Sequence, residues 1–248
     1  MKKQTRRLLP SLETRSTERE IMDDFSEDEE ALRKTLRRFE PINRLVSRSR
    51  YLLQSTVLRD VLERDARSFS ILDVGAGGCD LMMALSRRAS ALGIEARITC
   101  ADYDPRAVRF AREATEAYPN IEIVEADIFE AELGTFDYVF CNHLLHHFPD
   151  ELAVAFLKRA EQMAGRGYLV NDIRRCRFAY VGITLLMGLL YPGSVPFHDG
   201  RTSVRRSFRP EELEELFRRA WANEHERPSV RTIAPTRVVV IGGPAFRL

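Results

Sequence analysis

Ile71-Leu72-Asp73-Val74-Gly75-Ala76-Gly77-Gly78-Cys79-Asp80-Leu81 reads as an apolar strand, a glycine turn and the start of a helix. In open parallel sheets ligands sit beyond the carboxyl ends of the strands, and glycines let the backbone come close to them. A dinucleotide turn of the form GxGxxG needs glycine at position 80, where Asp80 stands. Asp73, two positions before the first glycine, sits badly beside phosphate and well beside a cation. Taken alone, the segment is also compatible with a plain structural glycine turn.

Outward from this turn the chain alternates short apolar strands with amphipathic helices. The pattern predicts strands at Ser70–Val74, Arg97–Ala101, Ile121–Glu125, Phe136–Cys141 and Gly167–Val170, and helices at Leu81–Leu92, Pro105–Tyr118 and Asp150–Ala164. Such alternation means right-handed crossovers and a parallel sheet covered on both faces. A helix over Pro210–Trp221 and two strand-like runs, Ser229–Ile233 and Thr236–Ile241, close the chain. Two successive strands at the end of a parallel sheet predict an antiparallel edge hairpin. The expected fold is therefore α/β and Rossmann-like, with seven mostly parallel strands over residues 70–248 and an insert at about 173–208.

Residues 1–69 carry helical periodicity and no strand signal, and are expected to form an N-terminal helical cap. Leu32, Leu36 and Phe39 mark one face of that preface, and Val57, Leu58, Val61 and Leu62 another. An acidic stretch, Glu20 to Glu30, precedes a basic one, Arg33 to Arg50, an order that suits solvated helix faces.

Composition narrows the function classes. The 248 residues hold 38 Lys and Arg against 37 Asp and Glu, a net charge of +1. No global field draws in nucleic acid. A hydrophobic content of 44% with 30% charged residues fits a folded globular chain. Cys79, Cys100, Cys141 and Cys176 form no CxxC pair and read as reduced thiols, as expected in the cytoplasm. Met1 to Ser11 is basic without a long apolar region, so nothing there directs export. Phe178 to Tyr191 is apolar but shorter than the roughly 20 residues of a membrane span. It is expected to be a buried or pocket-lining helix.

The Asp73-x-Gly75-x-Gly77 turn resembles motif I of the class I S-adenosylmethionine-dependent methyltransferases, with Cys79 in place of the third glycine. Three later strand ends extend the resemblance over about residues 70–172. Arg97-Ile98-Thr99-Cys100-Ala101-Asp102-Tyr103 ends in an acid about 25 residues past the glycines, where a carboxylate can accept from both ribose hydroxyls. The resemblance implies that Asp102 holds the ribose and that Tyr103 lies against the adenine. It gives Asp127 the adenine amino group and Ile128 the ring, and it places Asn142, after Phe136-Asp137-Tyr138-Val139-Phe140-Cys141, near the sulfonium. With Asp73, Gly75, Ala76 and Gly77, these are the expected contacts to S-adenosylmethionine. Asp104 with Pro105 reads instead as a helix cap followed by a first-turn proline.

Methyl transfer from a sulfonium is an in-line displacement, and orientation alone can supply roughly 7 to 11 kcal/mol in favourable cases. A phenol, with a pKa of about 10, attacks better with a base nearby, and histidine suits that task. His146 lies in Leu144-Leu145-His146-His147-Phe148-Pro149-Asp150, which resembles the segment of phenolic O-methyltransferases that carries the base. The alternative is that His146 and His147 only open a helix and pack on the sheet. No metal is expected, since the spacing of His143, His146 and His147 matches no strong zinc pattern. Asp172 should face the cleft, unless it pairs with Arg174 or Arg175. The insert brings Tyr180 and His198 as acceptor contacts and reads as a lid, with a homodimer surface or an interfacial patch as alternatives.

The Val-Asn-Asp-Ile-Arg-Arg run after residue 169 and the His-Asp-Gly run at 198–200 are similar to a bacterial subgroup associated with type III polyketide synthases. That similarity implies methyl transfer to oxygen of a small lipophilic aromatic (phenolic or polyketide-type) acceptor, with C-methylation of a quinone-like acceptor as the alternative. Two other classes compete: a cofactor-binding partner without turnover, and a nicotinamide oxidoreductase, which the glycine spacing disfavours. After Asn142 the Pro-Pro-aromatic motif of many amino-group methylating enzymes is missing.

Overall fold

The computed structural model describes residues 10–23, 29–45, 47–222 and 227–246, without the side chains of residues 39 and 42–45. Most of the basic Met1 to Ser11 segment, part of the acidic stretch and the Phe39 side chain thus lie outside the described residues.

Seven strands form one sheet in the order β3-β2-β1-β4-β5-β7-β6. They are β1 (Ser68–Val74), β2 (Glu95–Asp102), β3 (Ile121–Glu125), β4 (Phe136–Asn142), β5 (Ala164–Ile173), β6 (Ser229–Ile233) and β7 (Arg237–Gly242). β1 starts two residues before the expected Ser70 because Ser68 and Phe69 extend the parallel register onto Glu95 and Ala96. The first five strands run parallel. β7 returns antiparallel against β5 and pairs with β6, the expected edge hairpin. Strand order reverses between β1 and β4, so their carboxyl ends diverge and open a crevice there.

Helices cover both faces. α1 (Glu29–Leu45), α2 (Ser49–Leu53) and α3 (Arg59–Glu63) make up the preface, with a π-helical turn, Gln54–Leu58, between the last two. α4 (Asp80–Ala91), α5 (Pro105–Ala114) and α6 (Asp150–Met163) follow the strands, and α7 (Arg177–Leu190), α8 (Val195–Arg206) and α9 (Pro210–Ala220) follow β5. Leu52, Leu53, Val57, Leu58 and Val61 join the core under β1, together with Phe69, Ile71 and Met82. Leu62, expected on the same face, is 52% exposed. The opposite face is sealed by Phe156, Leu157, Leu213, Phe217 and Trp221 from α6 and α9 with its flank. The preface is tied down by charge as well: Asp60 accepts from Arg166 Nε at 2.7 Å and Nη2 at 2.8 Å.

The insert differs from expectation. α7 is neither wholly buried nor wholly pocket-lining: Phe178, Leu185, Leu189 and Leu190 are at least half exposed, while Ala179, Tyr180 and Met187 face inward. A 14-residue helix packed along one side can bury only one stripe, and this one is apolar all round. Among the described residues no helix is long and apolar enough to cross a membrane.

Candidate functional site

The first turn has the geometry its sequence demands. Gly75 and Gly77 adopt φ of 69° and 52°, a region that costs side-chain-bearing residues roughly 1–2 kcal/mol. Cys79, where motif I has its third glycine, keeps the same left-handed backbone at φ 56°. The turn is stitched to β2: Gly75 N–H donates to the Ala101 carbonyl at 2.8 Å, and Gly77 N–H donates to Asp102 Oδ2 at 2.9 Å. Asp102 Oδ1 accepts from Asp104 N–H at 3.0 Å. Asp104 caps α5, accepting from Arg106 N–H, as expected for an Asp-Pro helix start.

These strand ends open on a cleft of about 330 Å³. Asp73, Gly75, Ala76, Gly77, Asp102, Tyr103 and Asn142 line it, so seven of the nine expected cofactor contacts share one cavity. Burial, with Asp80 and Asp102 nearby, raises the Asp73 carboxyl well above its usual range, and burial raises Asp102. Two buried carboxylates facing one cavity suit a ligand that brings positive charge and hydroxyl donors. Asp127 and Ile128 are not among the lining residues. Asp127 Oδ1 accepts from Phe129 N–H at 2.9 Å, a local turn, and Ile128 packs in the core.

The floor beside Asn142 is a polar network. Asn171 Nδ2 donates to Ser49 Oγ at 2.7 Å and to Asn142 Oδ1 at 3.1 Å, while its Oδ1 accepts from Arg237 Nε at 3.1 Å. Ser49 Oγ donates to Asn142 Oδ1 at 2.7 Å, so α2 is pinned to the tips of β4 and β5.

The opposite wall is built by residues far apart in the chain. His146 and His147 lie in a 3-10 turn, Leu145–His147, after β4. His146 is 2% exposed, and its Nδ1 lies 2.7 Å from Asp172 Oδ1, while its backbone N–H donates to Asp172 Oδ2 at 2.9 Å. Asp172 is therefore sealed beneath His146 rather than open to the cleft, and it pairs with neither Arg174 nor Arg175. On the other side Glu20 Oε1 lies 3.3 Å from His146 Nε2 and accepts from Ser203 Oγ at 2.8 Å. Asp23 Oδ1 lies 3.0 Å from His147 Nδ1, and Arg206 Nη1 donates to Asp23 Oδ2 at 2.8 Å.

Burial pulls the His146 imidazole down, but Asp172 and Glu20 outweigh it and push it up to about 9. Burial raises Asp172 and Glu20, and the histidines outweigh it in both, holding these carboxylates low. Burial of its ring, with the charge of Arg237, pushes His143 well below its ordinary value.

Tyr180 and His198 do not reach the cleft. The Tyr180 hydroxyl accepts from Arg201 Nη2 at 2.7 Å and locks α7 to α8. His198 is exposed and lies edge-on to Phe197, because the helical period of α8 turns Asp199, Gly200 and Ser203 inward instead. Asp199 accepts from Ile21 N–H at 2.8 Å and Met22 N–H at 3.0 Å, fixing the segment that carries Glu20. The wall facing the strand ends thus comes from Glu20, Asp23, Ile183, Gly200 and Ser203 together with His146 and His147.

Residues 71–167 match the methyltransferase domain family. That stretch, less than half of the chain, is similar to a methyltransferase domain. Over 138 residues the chain is 28% identical to a ubiquinone biosynthesis O-methyltransferase of Xanthomonas campestris pv. campestris, covering 52% of this chain and 55% of that one. The chain thus spans about half the length of the relatives it matches. In fold it is similar to an O-methyltransferase family protein of Burkholderia thailandensis, with TM-score 0.63, 16% identity, and coverage of 91% of this chain and 63% of that one. It is also similar to human N-acetylserotonin methyltransferase in complex with S-adenosylmethionine, with TM-score 0.60, 17% identity, and coverage of 88% and 56%.

Proposed function

We propose that the protein transfers a methyl group from S-adenosylmethionine to a small, largely apolar aromatic acceptor at a hydroxyl oxygen. The observation that carries this reading is one cleft with two unlike walls. On the strand side, Asp102 would take the ribose hydroxyls, the Gly75–Gly77 turn the methionyl part, and Asp73 with Asn142 the neighbourhood of the sulfonium. Asp127 and Ile128 keep their adenine roles only if the ring reaches past the cleft lining. When bound, the cofactor supplies an electrophilic methyl carbon.

On the acceptor side Leu36, Leu144, Ile173 and Ile183 offer apolar surface, and His146 with Glu20 offers the place for a hydroxyl proton. An imidazole held at about 9 keeps its own proton at neutral pH, so His146 alone is not a ready base. The Glu20 carboxylate, held beside that imidazolium and by Ser203, is the proposed acceptor of the hydroxyl proton, with His146 as its positioning partner. α7 and α8 serve as the lid, Ile183 and Gly200 being its inner surface. The relative named for ubiquinone biosynthesis O-methylation supports a lipophilic hydroxylated ring and oxygen as nucleophile. Four free cysteines fit a reducing compartment such as the cytoplasm.

The test is incubation with S-adenosylmethionine and a panel of lipophilic phenols, read by mass spectrometry for the gain of one methylene. Methylation confined to nitrogen or carbon acceptors would refute the oxygen assignment. Failure to bind the demethylated cofactor in calorimetry would refute the whole reading.

A further inference from the structure

Adjacent residues on a chain normally point apart, yet the rings of His146 and His147 lie 4.3 Å apart, centroid to centroid, with both Nε2 atoms turned toward Glu20 Oε1. Three ligand-type atoms, one each from Glu20, His146 and His147, lie within 4.8 Å of one another. Oε1 of Glu20 is 3.3 Å from His146 Nε2 and 3.8 Å from His147 Nε2. A tetrahedral ion bound at about 2.0–2.1 Å holds its ligand atoms about 3.3 Å apart. The protein atoms are therefore already near coordination spacing.

Two further features point to a ligand at that spot. His146 Nε2 is buried and has no aligned hydrogen-bond partner among the described residues, although Glu20 is close. Each imidazole is also oriented from behind: Asp172 stands 2.7 Å from Nδ1 of His146, and Asp23 stands 3.0 Å from Nδ1 of His147. A carboxylate on the remote nitrogen fixes the tautomer that leaves the other nitrogen free to donate its lone pair, the usual support of a metal-bound histidine.

We propose that Glu20, His146 and His147 bind one divalent transition-metal ion of the zinc class, on the acceptor wall of the cleft. Two imidazoles and one carboxylate are a nitrogen-oxygen set that suits zinc or cobalt and leaves a fourth position open. The histidine spacing alone did not indicate such a site, because its third ligand is more than a hundred residues away in the sequence. The ion-bridged and proton-bridged forms are two states of one cluster. Resting on the methyl-transfer reading, the open position faces the acceptor: its hydroxyl would bind there, the O–H bond would break with the proton leaving to water, and the oxygen would keep its electron pair for the methyl carbon. That role deepens the proposed function, whereas ion binding itself does not depend on it.

The experiment uses the full chain, stripped with a chelator and titrated with Zn²⁺ against a chromophoric competitor, then with Co²⁺ for visible absorption. One ion per chain and a cobalt band typical of four-coordination are expected. Glu20→Gln and His147→Ala should each weaken Zn²⁺ binding at least 100-fold, and Asp23→Asn, which acts through His147, by about 10- to 100-fold. Thermal unfolding of each variant shows that it is folded, and the wild-type cobalt spectrum stands without the variants. A wild-type protein that takes up no ion, or that binds no more tightly than the Glu20→Gln/His147→Ala double variant, overturns the site. S-adenosylhomocysteine binding to the same stripped protein reports separately on the cofactor reading.

Discussion

On the proposed reading, Asp102→Asn isolates the grip on the cofactor's sugar. In the protein Asp102 already accepts two backbone N–H groups, Gly77 on Oδ2 and Asp104 on Oδ1, so both oxygens are oriented and each keeps a lone pair for a ribose hydroxyl. Asparagine keeps one accepting oxygen. Its amide nitrogen must face either the Gly77 or the Asp104 N–H, donor against donor, and it offers no acceptor to the second hydroxyl. A hydrogen bond to a charged group contributes about 1.5–3 kcal/mol and a neutral one about 0.5–1.5, so two weakened contacts remove about 2–3 kcal/mol. At 1.4 kcal/mol per factor of ten, affinity falls by about 30- to 100-fold. Calorimetry with S-adenosylhomocysteine on wild type and variant measures it, with melting temperatures confirming that both are folded. A variant binding within threefold of wild type refutes the ribose assignment and, with it, the alignment of β2 to the family pattern.

Other outcomes are as specific. Gly75→Ala places a methyl group 3.1 Å from Leu144 Cδ2 at a φ of 69°, so denaturant unfolding should show a loss of about 1–2 kcal/mol. Burial raises Asp60, but Arg166 and Tyr138 outweigh it and hold its carboxyl at about 2. A depressed carboxyl stabilises the fold above its unfolded value near 3.8, and that contribution is lost as pH falls toward 2. Discounted for the partly exposed arginine, it amounts to about 1 kcal/mol, and Asp60→Asn should flatten the acid limb of the melting curve by that much. Arg15 donates from Nε to the Arg206 carbonyl and from Nη2 to the Phe148 carbonyl, both at 2.7 Å, and lies 3.6 Å above the Phe208 ring. Arg15→Ala should lower acceptor kcat/KM about tenfold while leaving S-adenosylhomocysteine affinity within about twofold, read by steady-state kinetics and calorimetry.

What sequence made legible was local. The β1 run, its glycines and the acid ending β2 each sit in a short stretch whose period and turn chemistry identify it, and those residues meet as expected. Asp104 announced its cap through the following proline. The proposed acceptor wall was not legible, because Glu20 and Asp23 lie in a charged stretch that reads as solvated surface until α8 brings Ser203 and Arg206 against it. Asp172 looked like a cleft residue from its place at the end of the fifth strand, but a histidine folding back over it is a tertiary event. On α8 the error was one of register: His198 carries the suggestive side chain, and its neighbour Asp199 carries the inward contact. Apolar content in α7 promised burial, yet content alone does not say which stripe finds a partner.

The segment holding Glu20 crosses to α8, where Ser16 N–H donates to the Arg205 carbonyl and Arg206 grips Asp23. On the proposed reading, nucleoside recognition belongs to the strand ends, while the acceptor flank is assembled from the first and last thirds of the polypeptide around the histidine turn that follows β4. Exchanging that flank between relatives offers a route to new acceptors that leaves the methyl donor's seat intact.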